Sequence, residues 1–149
     1  MDLGIPYVKD IETTVSPSYE RGNLEDVYKN IESDLLAGME LISDNMYSVP
    51  KYHFTKKAAY AFAARFYLYY VQSDKSNYDK VIEYAGKALG SNPANSVRDW
   101  ASLGALDLDK DIMPNTYVSA DINANLLLVS ADSYWGGRVD PYSSGPVSY

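Results

Sequence analysis

The stretch DSYWGGRVDPY, residues 132–142, brings Tyr134, Trp135, Arg138, Asp140 and Tyr142 into one short Gly- and Pro-containing segment. Flat rings beside a guanidinium and a carboxylate suit non-covalent binding of a ligand with an apolar face and a rim of hydroxyls, as a sugar ring has. The competing reading, and the more ordinary one, packs Trp135 against helices as a core residue. Trp100, in VRDWASL, is read as core. Tyr47 and Tyr52 are weaker binding candidates.

Other chemistry has less to work with. His53 is the sole histidine and there is no cysteine. A Ser-His-Asp arrangement or a His-based metal site would have to use His53, which is read as structural or exposed. Thiolate sites and disulfides are excluded, and zinc catalysis has no ligand set. Acidic residues group as Glu25/Asp26, Asp107/Asp109/Asp111 and Asp132/Asp140. A glycosidase needs two carboxylates facing each other across a cleft, which sequence alone does not establish. DLDKD at 107–111 alternates acids as a calcium loop does. Ile112 and Val118 stand where that loop needs Gly and Glu, so a solvated acidic loop is the expectation. No cofactor and no catalytic group is expected.

The totals narrow the field further. The formal charge is −7 over 149 residues and the Lys and Arg are scattered. Nucleic-acid phosphate as a partner is therefore disfavoured, because that binding needs clustered cations. The chain is 46% hydrophobic with fifteen tyrosines, so half-buried aromatic surfaces are expected. No apolar run reaches the length of a membrane span. MDLGIPYVKD lacks a basic n-region and an apolar h-region, so it is not read as a signal peptide. Met1 ahead of such a segment is read as the start of a piece excised from a longer protein.

The elements that must position these residues are mostly helical. Residues 1–22 carry Pro6, Pro17 and Gly22 and read as extended or loop. Asn23 then caps a helix over about 24–44, with Glu25 and Asp26 in its first turn and Val27, Ile31, Leu35, Met39 and Ile42 at helical spacing. Thr55 caps a second helix, about 55–72. Its sequence, FTKKAAYAFAARFYLYY from Phe54, is apolar on several faces, which predicts burial among neighbouring helices. By the same spacing Tyr60, Phe62, Phe66, Tyr67, Tyr69 and Tyr70 are read as core packing. SDKSN is a polar turn. A third helix covers 78–89, stopped at Gly90 and followed by Pro93. Beyond it VRDWASLGAL suggests a short helix, and residues 124–135 fit strand or helix equally. The last segment, GGRVDPYSSGPVSY, reads as loop. The fold class expected is mostly α, with tetratricopeptide-like α–α solenoid helices over about 23–93 and an irregular, loop-rich C-terminal third over 94–149. The chain is taken as one domain or domain fragment.

Residues 58–93 resemble a degenerate tetratricopeptide unit, with Phe66 and Tyr70, Tyr78, Ala88 and Pro93 as its marks. A narrower resemblance follows from the order of GIPYV, LEDVYKNIESDLLAGMELI, FTKKAAYAFAARFYLYY, YDKVIEYAGKAL and DINANLLLVSADSYW. Over roughly residues 4–135 the chain resembles the SusD/RagB family of surface glycan-binding lipoproteins of Bacteroidetes. The resemblance implies an internal fragment of a protein held outside the outer membrane by a lipid anchor that this chain lacks. It implies non-catalytic capture of oligosaccharides beside a SusC-like TonB-dependent transporter. It lends no residue-by-residue motif to Trp135 or its neighbours. Two other functions stay open from the residues: a tetratricopeptide-type scaffold that binds a protein or peptide, and a glycoside hydrolase.

Overall fold

The computed structural model of the chain describes residues 2–106 and 116–128. Four α-helices run in order: α1 Leu24–Leu41, α2 Lys56–Tyr69, α3 Asn77–Leu89 and α4 Trp100–Gly104. Short 3-10 turns stand at Asp44–Met46, Pro50–Tyr52 and Pro93–Asn95. Among the described residues there is no strand, only an isolated antiparallel bridge between Leu3 and Asn23. The fold is mostly α, as the periodicity predicts. It divides into two compact units, Met1–Ile42 and Ser43–Tyr149.

In the first unit the N-terminal segment lies along the start of α1. Gly4 N donates to Gly22 O at 2.9 Å, and Leu24 N donates to Asp2 O at 2.9 Å. Arg21 Nε donates to Gly4 O at 2.7 Å. These bonds satisfy backbone groups that a lone extended segment would leave to water. Asn23 is the N-cap: its Oδ1 accepts from Asp26 N at 2.7 Å, one of the amides that has no partner inside the helix. Gly4 is buried beside Val27. A Cβ there would sit 2.6 Å from Val27 Cγ2 and 2.7 Å from Asn23 O, so close approach requires glycine. Val27 and Met39 are the buried residues of α1, which ends at Leu41 with Ile42 already extended.

The second unit holds the tetratricopeptide-like pair, with α2 packed against α3. Thr55 is buried, and its hydroxyl accepts from Ala58 N at 3.2 Å. Asp44 Oδ1 accepts from Lys56 N at 2.8 Å, so two orphan donors at the start of α2 are satisfied. The buried residues of α2 are Ala58, near its start, and Ala59, Ala63, Phe66 and Tyr67, which share one side. The alanines let α3 come close, and Tyr67, fully buried, stacks on Tyr84 of α3 with centroids 5.7 Å apart and planes 5° apart. Lys80 lies over the Tyr67 ring at 4.5 Å. Buried Asn77 donates from Nδ2 to Tyr70 O at 2.5 Å and closes the α2–α3 turn. Gly90 ends α3 with φ +73°, the left-handed region that favours glycine, and its N donates to Gly86 O.

The structure differs from the sequence reading on the other faces of α2. Phe62, Leu68 and Tyr69 are exposed, as is Val71 just beyond the helix, although the pattern predicts burial and core packing. The physical reason is that α3 covers one side of a cylinder. Helical spacing of aromatic residues fixes which side chains share a face, and the number of neighbours decides how many faces are covered.

Candidate functional site

The expected binding cluster, Tyr134, Trp135, Arg138, Asp140 and Tyr142, lies outside the described residues, as do Asp107, Asp109 and Asp111. Of residues 124–135, 124–128 are described and form neither strand nor helix. Among the described residues no group of three or more His, Asp or Glu is placed to hold a metal ion. His53 is exposed, and its ring stacks on Tyr47 at 4.2 Å with planes 8° apart. Tyr52 is exposed as well.

What the structure does bring together is an aromatic pair that the sequence did not suggest. Asp99 caps α4. Its Oδ1 accepts from Ser102 N at 3.0 Å and its Oδ2 from Ser102 Oγ at 2.5 Å. These bonds to the charged form hold the Asp99 carboxyl below the usual aspartate range. The next residue, Trp100, therefore begins the helix. It is 66% exposed, not core, while Leu103 turns inward and is buried. A helix of five residues has one inward side, and position 103 takes it.

Tyr117 lies beside Trp100, with centroids 6.3 Å apart and planes 39° apart. It is 41% exposed. Between them in sequence there is no helical or strand spacing; the contact is made by side chains from two separate segments. Arg98 joins those segments. Its guanidinium carbon lies 4.0 Å from the Tyr117 centroid and 5.6 Å from the Trp100 centroid, within cation–π range. Arg98 also donates to Tyr117 O at 3.2 Å and to Asn125 Oδ1 at 2.5 Å. Asn125 is buried, and its Nδ2 donates to Tyr117 O and Ser119 O, each at 2.8 Å. One amide side chain thus holds both the guanidinium and the backbone that carries Tyr117.

The 116–128 segment is fixed from a second side. Lys51 Nζ donates to Ala120 O at 2.5 Å and to Ile122 O at 2.7 Å. Leu128 N donates to Lys51 O at 2.8 Å. A cavity of about 210 Å³ is lined in part by Arg98, Asp99, Leu103 and Ile122. This arrangement offers flat apolar surface with polar groups at its rim. Its hydroxyl–carboxylate contact, Ser102 Oγ to Asp99 Oδ2, belongs to the cap of α4.

Residues 3–68, less than half of the chain, match the SusD-like_3 family model, described as starch-binding, associating with outer membrane. Over that stretch the chain is similar to the SusD-like family. The matched part takes in α1 and most of α2, and it stops short of both Trp100 and Tyr117. No curated protein and no solved structure matches the chain. Among the described residues no helix is long and apolar enough to cross a membrane.

The sequence signal for Trp100 was present but easy to misread. Asp-Trp at the start of a short helix places the ring at the first position, where it leaves the surface beside the cap. Nothing in the sequence pairs it with Tyr117, and Asn125 looks like any loop asparagine.

Proposed function

We propose that the chain is part of a protein that captures oligosaccharides at the bacterial outer surface without cleaving them. The capture works alongside a TonB-dependent transporter, with a lipid anchor elsewhere in the protein. The SusD-like match over residues 3–68 carries this reading. The open aromatic surface at Trp100 and Tyr117 fits it, since sugars bind through apolar C–H faces on rings and hydroxyls on polar neighbours. Trp135, Tyr134, Arg138, Asp140 and Tyr142 remain proposed glycan contacts.

The test is affinity electrophoresis of the 149-residue chain through gels containing starch, other neutral polysaccharides and acidic polysaccharides. Retarded migration in at least one gel, with no reducing ends released, is the expected result. Unretarded migration in all of them sinks the glycan reading.

A second reading draws on the exposed Phe62, Leu68 and Tyr69 of α2. A tetratricopeptide-type scaffold would use such exposed apolar side chains to hold a protein and would contact no glycan. It predicts the second outcome of the same experiment.

A further inference from the structure

The helical pair of the second unit is not closed on every side. Where α2 meets α3 there is a groove of about 250 Å³, lined in part by Ala61 and Ala64 of α2, Ala85 and Ala88 of α3, Ser96 and Leu126. Alanine side chains end at Cβ, so both helical walls are low and leave room for a larger group. Ala61, Ala64, Ala85 and Leu126 are only half-buried. Folded interiors pack to the density of organic crystals, and apolar walls this far apart lack partner atoms.

The backbone at one edge of the groove is fixed. Leu126 lies two residues before Leu128, whose N donates to Lys51 O, and Lys51 Nζ donates to Ala120 O and Ile122 O. The described chain stops at Leu128, and residues 129–149 follow from that edge.

We propose that residues 129–135 lie along this groove and that the Trp135 indole fills it. Three observations carry the assignment. The first is place. Trp135 is seven residues past Leu128, and seven residues reach at most about 25 Å, enough to cover a groove that begins at Leu126. The second is size. Trp135 is the sole tryptophan of residues 129–149, and an indole is the side chain with most apolar surface to bury in an alanine-walled slot. The third is hydrogen bonding. Ser96 Oγ, on the groove lining, donates its proton to Leu89 O at 2.8 Å and accepts from Lys57 Nζ at 3.3 Å. With its proton committed, the hydroxyl has a lone pair left to accept. An indole N–H donates and never accepts, so the two are matched. The seating of Trp135 does not depend on the glycan reading. Its consequence does: Trp135 becomes the anchor, and Tyr134, Arg138, Asp140 and Tyr142 are the groups left to meet a sugar.

The experiment uses the 149-residue chain and no sugar, so its failure is separate from that of the glycan reading. In the Trp100→Phe variant Trp135 is the sole emitter. Its emission should be blue-shifted from that of tryptophan in water and its quenching by acrylamide several-fold weaker. Adding Ala64→Leu, which fills the groove, should reverse both, with circular dichroism checking that α2 and α3 persist. A gentler change keeps the test open if that variant does not fold. The chain has no cysteine, so Ala64→Cys gives a single thiol in the groove wall. Iodoacetamide should alkylate it slowly, and several-fold faster when Trp135→Ala is added. Water-like emission from Trp135, or equal alkylation with and without Trp135→Ala, overturns the proposal. Protection of the thiol that fades on dilution also overturns it and assigns the groove to a second copy of the chain.

Discussion

The guanidinium of Arg98 lies 4.0 Å from the centre of the Tyr117 ring and donates to the backbone oxygen of the same residue, across a sequence separation of 19. One side chain thereby sets both the ring face and the backbone of its partner. Replacing Arg98 by Leu keeps some of the packing and removes the cation and its donors. The expected loss is about 1–3 kcal/mol, concentrated in the 116–128 segment. Hydrogen exchange should show faster exchange of the amides of Ser119, Ile122 and Asn125, with amides of α2 and α3 little changed. Unchanged protection in 116–128 would show that Arg98 does not hold the segment.

Asn125 is the buried member of this network, with three bonds through one amide group. Asn125→Ala leaves two backbone carbonyls and a guanidinium donor without that partner. About 1–3 kcal/mol of destabilisation is expected, from the desolvation of unpaired groups. Asn125→Asp keeps the size and the Arg98 contact but has no amide donors, so carbonyls of Tyr117 and Ser119 then face a carboxylate. Urea unfolding followed by Trp fluorescence measures both variants.

Tyr67 has no exposure and sits between α2 and α3 against Tyr84, Phe66 and the Lys80 cation. Tyr67→Ala should cost about 3–5 kcal/mol, the range for removing a large buried ring. Loss of helical circular dichroism at lower temperature is the readout. The same truncation at exposed Tyr69 should change the melting temperature little.

Gly4→Ala should loosen the first unit. The new Cβ would lie 2.7 Å from a backbone oxygen, Asn23 O, and that atom cannot swing aside as a side chain can. A cost of about 1–3 kcal/mol is expected, of the size seen for overpacking. Amide exchange at Gly4 and Leu24, which bond to Gly22 O and Asp2 O, should quicken. Gly22→Ala, where a Cβ meets nothing within 4 Å, is the matched control.

The Asp99 cap sets a pH dependence for α4. Its folded carboxyl is depressed by the Ser102 bonds, so the unfolded chain binds the proton more readily. The contribution is present above the usual aspartate range and is lost as pH falls below it, through the folded value. Trp100 emission and the Ser102 amide shift should therefore change together in that acid window. Asp99→Asn, which keeps a capping oxygen and does not titrate, should flatten both profiles.

What the sequence by itself determined is local. Asn23, Thr55 and Gly90 mark helix ends because each acts on the backbone within a few residues: a side-chain oxygen for an orphan amide, or a left-handed φ for a stop. Helical spacing likewise placed Ala59, Ala63, Phe66 and Tyr67 on one side of α2. Which sides of α2 are covered was decided by packing. Phe62 and Tyr69 repeat the same period, and they are exposed because only one helix face meets α3. The candidate site was decided the same way. Trp100, Tyr117, Arg98 and Asn125 are joined by bonds between segments with no shared period, through a buried amide whose partners are chosen by the folded backbone. Hydrogen bonds and ring contacts of that kind depend on distances in space, and the order of residues along the chain does not encode them one by one.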